Sequence, residues 1–223
     1  MSASAIASSA TPALVFVHGY LGGSLQWRAQ VADFSEHFNV ITPDLPGYGL
    51  NNTFKSPETI AGYAAYVLDE LDKQGIDRFY LLGHSMGGMI VQEIIALAPE
   101  RVNKLILYGT GPLGVMPGRF ESIDVSKQRL IDEGVESSAR RISAKWFVEG
   151  ADSSVYPGCA DIAVLASDQA AVAGLSAMSS WSGKAALSKI RVPTLVLWGD
   201  RDQSYLWAQP EALWKNIPSA SLS

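Results

Sequence analysis

The sequence has few of the residues on which several classes of function depend. Cys159 is its one cysteine in 223 residues, so an intrachain disulfide is impossible. Acidic residues outnumber basic ones by 22 to 17, and no basic tract suited to binding nucleic acid is present. The three histidines are scattered and form no metal-ligand spacing with the cysteine. We therefore expect neither a disulfide scaffold, nor a nucleic-acid-binding protein, nor a metal site.

Long apolar runs and a secretory signal are also missing. The longest apolar stretch, residues 86–97, is interrupted by Gln92 and Glu93 and is too short to span a bilayer. The first residues, MSASAIASSATP, contain no Lys or Arg and no sustained apolar segment, both of which a secretory signal needs. We expect residues 1–12 to form a disordered leader on a cytoplasmic protein with no membrane partner.

The rest of the chain alternates short apolar runs with helical patterns, which is typical of a doubly wound α/β fold with a parallel sheet. One predicted helix begins at Ser56-Pro57, a cap residue followed by proline at the first helical position. Residues 112–190 contain helical fragments and no convincing core strand, so we interpret them as a helical lid inserted into a core of residues 13–111 and 191–223. The predicted strands cover residues 13–17, 40–42, 79–82, 105–108 and 194–198.

The stretch LLGHSMGGM places Ser85 between a predicted strand and a predicted helix. Gly83 and Gly87 lie two residues to either side, where a side chain would crowd the strand against the helix in a sharp turn. Such a turn lifts the serine hydroxyl above the sheet and directs the helix dipole towards developing negative charge. The alternative is a serine that caps a glycine-rich helix and has no chemical role.

Four motifs occur in one order between Val15 and Asp202: VFVHGYLGG, PDLPGYG, GHSMGG and LVLWGDRD. Together they resemble the α/β-hydrolase superfamily. The segment TGPLGVMPGRF is similar to the branch of 3-oxoadipate enol-lactonases and meta-cleavage-product hydrolases. The resemblance implies a serine nucleophile, no cofactor and a small-molecule ester or lactone as substrate.

The resemblance also implies the remaining parts of the site. The backbone N–H groups of Tyr20 and Met86 would form the oxyanion hole, and Asp202 would be the acid that orients a catalytic base. Both Asp200 and Asp202 qualify by residue type, and the family spacing selects Asp202; the alternative is an ordinary aspartate turn. His18 is expected to organise its loop.

No histidine follows Asp202, although the expected order is serine, aspartate, histidine. His84 adjoins Ser85, but successive strand side chains point to opposite faces of the sheet. We therefore expect the catalytic histidine beyond Ser223 or on a second chain, together with a final strand and helix. Without these elements the strand at Thr194 is predicted to have an unpaired edge.

Three functions follow from this interpretation. The first is a serine hydrolase of small esters or lactones, and the second is hydrolysis of a carbon–carbon bond by the same residues. The third is a non-catalytic binding protein without the histidine. Arg140 and Arg141 could bind a substrate carboxylate, but their apolar neighbours favour a position facing solvent. The residues proposed to line the substrate pocket, each of which could instead be lid core, are Met116, Trp146, Phe147, Met178 and Trp181.

Overall fold

The computed structural model describes residues 11–118 and 121–223. The predicted leader lies outside these residues except for Thr11 and Pro12, which are exposed and have no secondary structure. Six strands form one parallel sheet in the order β2-β1-β3-β4-β5-β6. The strands are β1 (Ala13–Val17), β2 (Asn39–Ile41), β3 (Phe79–His84), β4 (Val102–Tyr108), β5 (Thr194–Leu197) and β6 (Ala220–Leu222).

Seven α-helices connect or follow these strands in the described part of the chain. Several short 3₁₀ turns separate them, one of which precedes α1. The sequence therefore correctly predicts a doubly wound α/β fold. The helices are α1 (Arg28–Phe34), α2 (Ile60–Lys73), α3 (Met86–Leu97), α4 (Ile123–Ala144), α5 (Tyr156–Ala163), α6 (Asp168–Ser179) and α7 (Ala208–Asn216).

Strand β1 shows why the sheet needs helices on both faces. Its alternate residues Val15 and Val17 belong to the main core, which also contains the buried faces of α2 and α3. Leu14 and Phe16 point to the opposite face, where they pack in a second cluster with Trp27. Because both faces of the strand are apolar, a helical layer must cover each of them.

Helix α2 begins later than the sequence indicates. Its N-cap is Thr59, whose hydroxyl accepts a hydrogen bond from the Gly62 N–H, so the predicted start at Ser56-Pro57 is wrong. Ser56 is instead buried, and its N–H donates to Gln169 Oε1 in the lid at 2.8 Å. Ser56, which local propensity predicts as the cap, is therefore engaged in a tertiary hydrogen bond and does not cap α2.

The end of the described chain pairs with the sheet, which corrects a second expectation. Strand β6 runs parallel to β5, with Thr194 opposite Ala220 and Val196 opposite Leu222. Helix α7 packs against both strands. The edge of β5 is therefore paired, contrary to the prediction.

The segment predicted as a lid contains α4, α5 and α6, with one antiparallel bridge between Leu113 and Ser182. Helix α4 is interrupted at Gly134, whose φ is 78°. Two core tyrosines hold α6, since the hydroxyl of Tyr48 donates to Ala170 O and that of Tyr20 donates to Ala171 O, both at 2.9 Å. This segment, called the lid below for its predicted role, is thus held to the core by α6.

A membrane-spanning helix requires about 20 apolar residues. In the described ranges no single helix meets this requirement, although α5 and α6, which are bent by 96° relative to each other, satisfy it as a pair by length and composition.

Candidate active site

Ser85 connects β3 to α3 in a strained backbone conformation, with φ 56° and ψ −120°. L-residues with side chains adopt this region rarely and at a cost of about 1–3 kcal/mol. The surrounding backbone holds the turn in place: Ser85 N–H donates to Tyr108 O at 3.1 Å, and Thr110 Oγ1 donates to Ser85 O at 2.8 Å. Ser85 occupies the N-cap position of α3, but its side chain makes no capping hydrogen bond, so the hydroxyl is not used to cap the helix.

Three glycines make the turn around Ser85 possible by allowing close backbone contacts. A Cβ on Gly87 would lie 2.2 Å from Val17 O, and one on Gly83 would lie 2.3 Å from Gly87 O. A Cβ on Gly19, in the loop after β1, would lie 2.9 Å from Ser85 Cβ. The sequence singled out Gly83 and Gly87, and the structure gives each a steric reason to be glycine.

The loop after β1 brings Tyr20 to the wall of the cavity that contains Ser85. His18 organises this loop, as expected, because its Nε2 accepts from the Leu45 N–H at 3.0 Å. Burial lowers the pKa of His18 from 6.5 to about 4, so the ring is a neutral acceptor. The Tyr20 hydroxyl donates to Ala171 O, which ties this side chain to α6.

Met86, the other residue of the predicted oxyanion hole, begins α3 directly after Ser85 and is fully buried. Its backbone N–H belongs to the first turn of the helix, where N–H groups have no intrahelical acceptor. Met86 therefore adjoins Ser85 along the chain, and Tyr20 lines the same cavity as Ser85.

Asp202 follows β5 and lines the same cavity as Ser85. Its Oδ1 accepts from Ser204 N–H at 2.7 Å and from Tyr205 N–H at 2.9 Å, which is the pattern of an aspartate turn. Its Oδ2 faces Gly109, where a Cβ would lie 3.6 Å from this oxygen. One oxygen therefore stabilises the loop, while the other faces Gly109 in the wall of the cavity that also contains Ser85.

No histidine nitrogen bonds to Ser85 Oγ, although all three histidines belong to the described residues. His84 lies between Trp27 and Tyr108, at ring-centre distances of 6.3 Å and 5.0 Å. Burial, followed by the charge of His18, lowers the pKa of His84 to about 4, and its buried Nδ1 has no hydrogen-bond partner. His37 is exposed after α1.

The hydroxyl that does approach Ser85 belongs to Tyr205, whose oxygen lies 3.2 Å from Ser85 Oγ. Reasoning from the sequence missed this residue, because no motif marks it. The feature of the sequence that could have indicated it is its position three residues after Asp202, on the loop expected to carry the acid.

The cavity around Ser85 has a volume of about 580 Å³ and is lined by both the core and the lid. Trp146 and Phe147 lie in its wall, as the sequence indicated. Met116, Met178 and Trp181 do not line it, which corrects the predicted set. Met116 and Met178 belong to the hydrophobic core, and Trp181 Nε1 donates to Glu93 Oε1 at 2.6 Å.

The two lid arginines are paired with acidic residues and lie outside the cavity lining. Arg140 pairs with Glu136, and Arg141 pairs with Glu121. In the parts of the chain that the structure describes, no three His, Cys, Asp or Glu residues are grouped so that they could hold a metal ion.

Comparison with known proteins decides the family. The sequence profile of the alpha/beta hydrolase fold family matches residues 12–138. The chain belongs to this family. The enol-lactonase from Burkholderia xenovorans LB400 has the same fold as this alpha/beta hydrolase, with a TM-score of 0.85 and 25% identity over 96% of this chain and 82% of that one.

Two curated relatives show how far the sequence likeness extends. An uncharacterised protein of Mycobacterium tuberculosis is 33% identical over 45% of this chain, but the match spans only 29% of that protein. A putative carbamate hydrolase, RutD, of Pseudomonas savastanoi pv. phaseolicola is 26% identical over 95% of this chain and 83% of its own length.

Proposed function

We propose that this chain is a serine hydrolase that cleaves a small carboxylic ester or lactone through an acyl-enzyme on Ser85. The observation that carries the proposal is the conformation of Ser85. Its backbone is strained, and its side chain makes no hydrogen bond that caps α3 and lies at a cavity. Backbone strain at a residue whose side chain does not stabilise the adjoining helix is typical of a functional position.

In this proposal Ser85 Oγ attacks the substrate carbonyl, and the N–H groups of Tyr20 and Met86 stabilise the resulting oxyanion. Each such donor contributes about 3 to 4 kcal/mol to transition-state stabilisation. The carboxylate of Asp202 supplies negative charge at the same end of the sheet. Water then releases the acyl group from Ser85.

The size and wall of the cavity support a small substrate with an apolar part. A volume of about 580 Å³ lies within the usual range for small-molecule sites. Trp146 and Phe147 add aromatic surface to the wall of the cavity that also contains Ser85 and Asp202. The enol-lactonase and the putative carbamate hydrolase are named for reactions at an acyl carbon, which agrees with this substrate class.

A non-catalytic binding protein is the second candidate, and one observation favours it. Among the described residues, no imidazole contacts Ser85 Oγ, so the usual base is not beside the nucleophile. Such a protein would keep the cavity and bind an ester without cleaving it.

Hydrolysis of a panel of p-nitrophenyl esters and simple lactones separates these two functions. We expect slow turnover by the wild-type chain that falls to the uncatalysed rate in Ser85→Ala. Ser179→Ala, which removes an exposed lid hydroxyl, serves as the matched control and should keep full activity. Equal rates for wild type and Ser85→Ala, with binding of the same esters by calorimetry, would establish the binding protein instead.

A further inference from the structure

We propose that Tyr205 relays the proton of Ser85 to the oxygen of the leaving group, an inference that rests on the hydrolase function proposed above. Its hydroxyl oxygen lies 3.2 Å from Ser85 Oγ, and either oxygen can be the donor in this contact. The relay accounts for proton movement at a serine that no histidine of this sequence contacts.

The position of Tyr205 is fixed by contacts at its backbone. Its N–H donates to Asp202 Oδ1 at 2.9 Å, and its carbonyl accepts from Trp198 Nε1 at 2.7 Å. The residue is only 4% exposed, yet it lines the cavity together with Ser85. The phenol is therefore presented to Ser85 by a loop whose backbone is held by two hydrogen bonds.

A hydroxyl can accept one hydrogen bond while it donates another. When Ser85 Oγ attacks the carbonyl, the leaving oxygen is attached to the same carbon, two bonds from Oγ. A group at hydrogen-bond distance from Oγ can therefore reach the leaving oxygen as well, which is the geometric reason that one histidine serves both atoms in serine hydrolases. Tyr205 has the required distance and both hydrogen-bonding capacities.

The acylation step balances without a further acid or base. The Oγ–carbon bond forms and the bond from carbon to the leaving oxygen breaks. The Oγ proton moves to the phenol oxygen of Tyr205 as the phenol proton moves to the leaving oxygen, so the alcohol departs neutral and Tyr205 stays neutral. In deacylation the water oxygen bonds to the acyl carbon and the Oγ–carbon bond breaks. A water proton moves to the Tyr205 oxygen as the phenol proton moves to Ser85 Oγ, so the carboxylic acid leaves and both side chains return to their starting forms.

This relay restricts the substrate class. The leaving atom must accept a hydrogen bond while it is still attached to the carbonyl carbon, and an ester or lactone oxygen has the lone pairs to do so. A carbon leaving group has none. Tyr205 therefore favours esters and lactones over substrates cleaved at a carbon–carbon bond.

The test measures acylation of Ser85 by phenyl acetate, followed by intact-protein mass spectrometry and by release of phenol. We expect Tyr205→Phe to be slower than wild type by about 10²-fold, the usual contribution of a positioned proton-transfer group. Tyr156→Phe is the matched control, because it removes a lid hydroxyl bound to Arg140 O and should leave the rate unchanged. Rates are expressed per reactive serine, titrated with a fluorophosphonate.

A solvent deuterium isotope effect distinguishes the relay from a structural role. Two protons move in the relay, so wild type should show a larger effect than Tyr205→Phe. Two results would overturn the relay and leave the proposed hydrolase function standing. One is a Tyr205→Phe variant that is acylated as fast as wild type, and the other is a slower variant with the same solvent isotope effect as wild type. Acylation of Ser85→Ala at the wild-type rate would overturn the proposed hydrolase function together with it.

Discussion

The α-carbon of Gly87 packs against the backbone of Val17 so closely that a Cβ at Gly87 would lie 2.2 Å from the Val17 carbonyl oxygen. This contact joins the first turn of α3 to the end of β1. It fixes the distance between the serine turn and the loop that carries Tyr20. The geometry of the site therefore depends on a backbone contact that any side chain at position 87 would disrupt.

Gly87→Ala should destabilise the fold by roughly 1–3 kcal/mol, because the new methyl group meets backbone atoms that cannot rotate away. Chemical denaturation measures this change. Gly158→Ala is the matched control, since the nearest atom to its new Cβ would be Arg28 Nη2 at 3.7 Å, an ordinary contact. Gly158 also lies within α5, where alanine is the better helix former. Equal stability of the two variants would contradict the steric account.

The strain at Ser85 predicts that Ser85→Gly is more stable than Ser85→Ala by about 1 kcal/mol. Both variants remove the hydroxyl, but only glycine adopts φ 56° and ψ −120° without a steric penalty. The midpoints of urea unfolding provide the comparison. If alanine proved as stable as glycine at this position, the turn would not be storing strain.

His18 and His84 predict that the protein loses stability as the pH falls from about 6.5 towards 4. Burial lowers the folded-state pKa of His18 and of His84 to about 4, whereas the unfolded chain binds these protons near 6.5. Between these values the unfolded state binds more protons, so the free energy of unfolding rises with pH and levels off above 6.5. The slope approaches about 1.4 kcal/mol per pH unit for each histidine.

Denaturation at a series of pH values, with single histidine variants, checks this assignment. His84→Asn should reduce the slope in this window, whereas substitution of the exposed His37 by Asn should leave it unchanged. A slope that is undiminished in both His84→Asn and His18→Asn would assign the effect to other groups.

Added imidazole should accelerate acylation of Ser85, because no histidine ring of the chain contacts the serine. The cavity of about 580 Å³ has room for the molecule, and Asp202 and Ser85 both line it. We expect the acceleration in wild type and its loss in Asp202→Ala, measured as p-nitrophenol release. The rate with Ser85→Ala is subtracted, since imidazole also hydrolyses such esters in solution. An equal increment in wild type and Asp202→Ala would contradict a role for the carboxylate in orienting the base.

The sequence predicted those parts of the fold that local patterns determine. The apolar run at Ala13–Val17 predicts a buried strand, and the glycines around Ser85 predict a tight turn. Both are present. Thr59 replaced Ser56 as the cap of α2 because Ser56 is bound to Gln169, 113 residues away, and no local pattern reports such a contact.

The wall of the site was harder to predict for the same reason. Met178 and Trp146 are both apolar lid residues, and their sequence neighbourhoods do not show which one faces the cavity. Tyr205 reaches Ser85 across 120 residues of chain, through a loop conformation set by Asp202 and Trp198. Long-range contacts of this kind decide which side chains meet at the site.

The central claim is that Ser85 is a nucleophile, and peptide mapping after fluorophosphonate treatment tests it most directly. We predict a covalent adduct on the peptide that contains Ser85, no adduct anywhere in Ser85→Ala, and an unchanged adduct in Ser179→Ala. A wild-type chain that remains unlabelled, or one labelled at another residue, would contradict the claim.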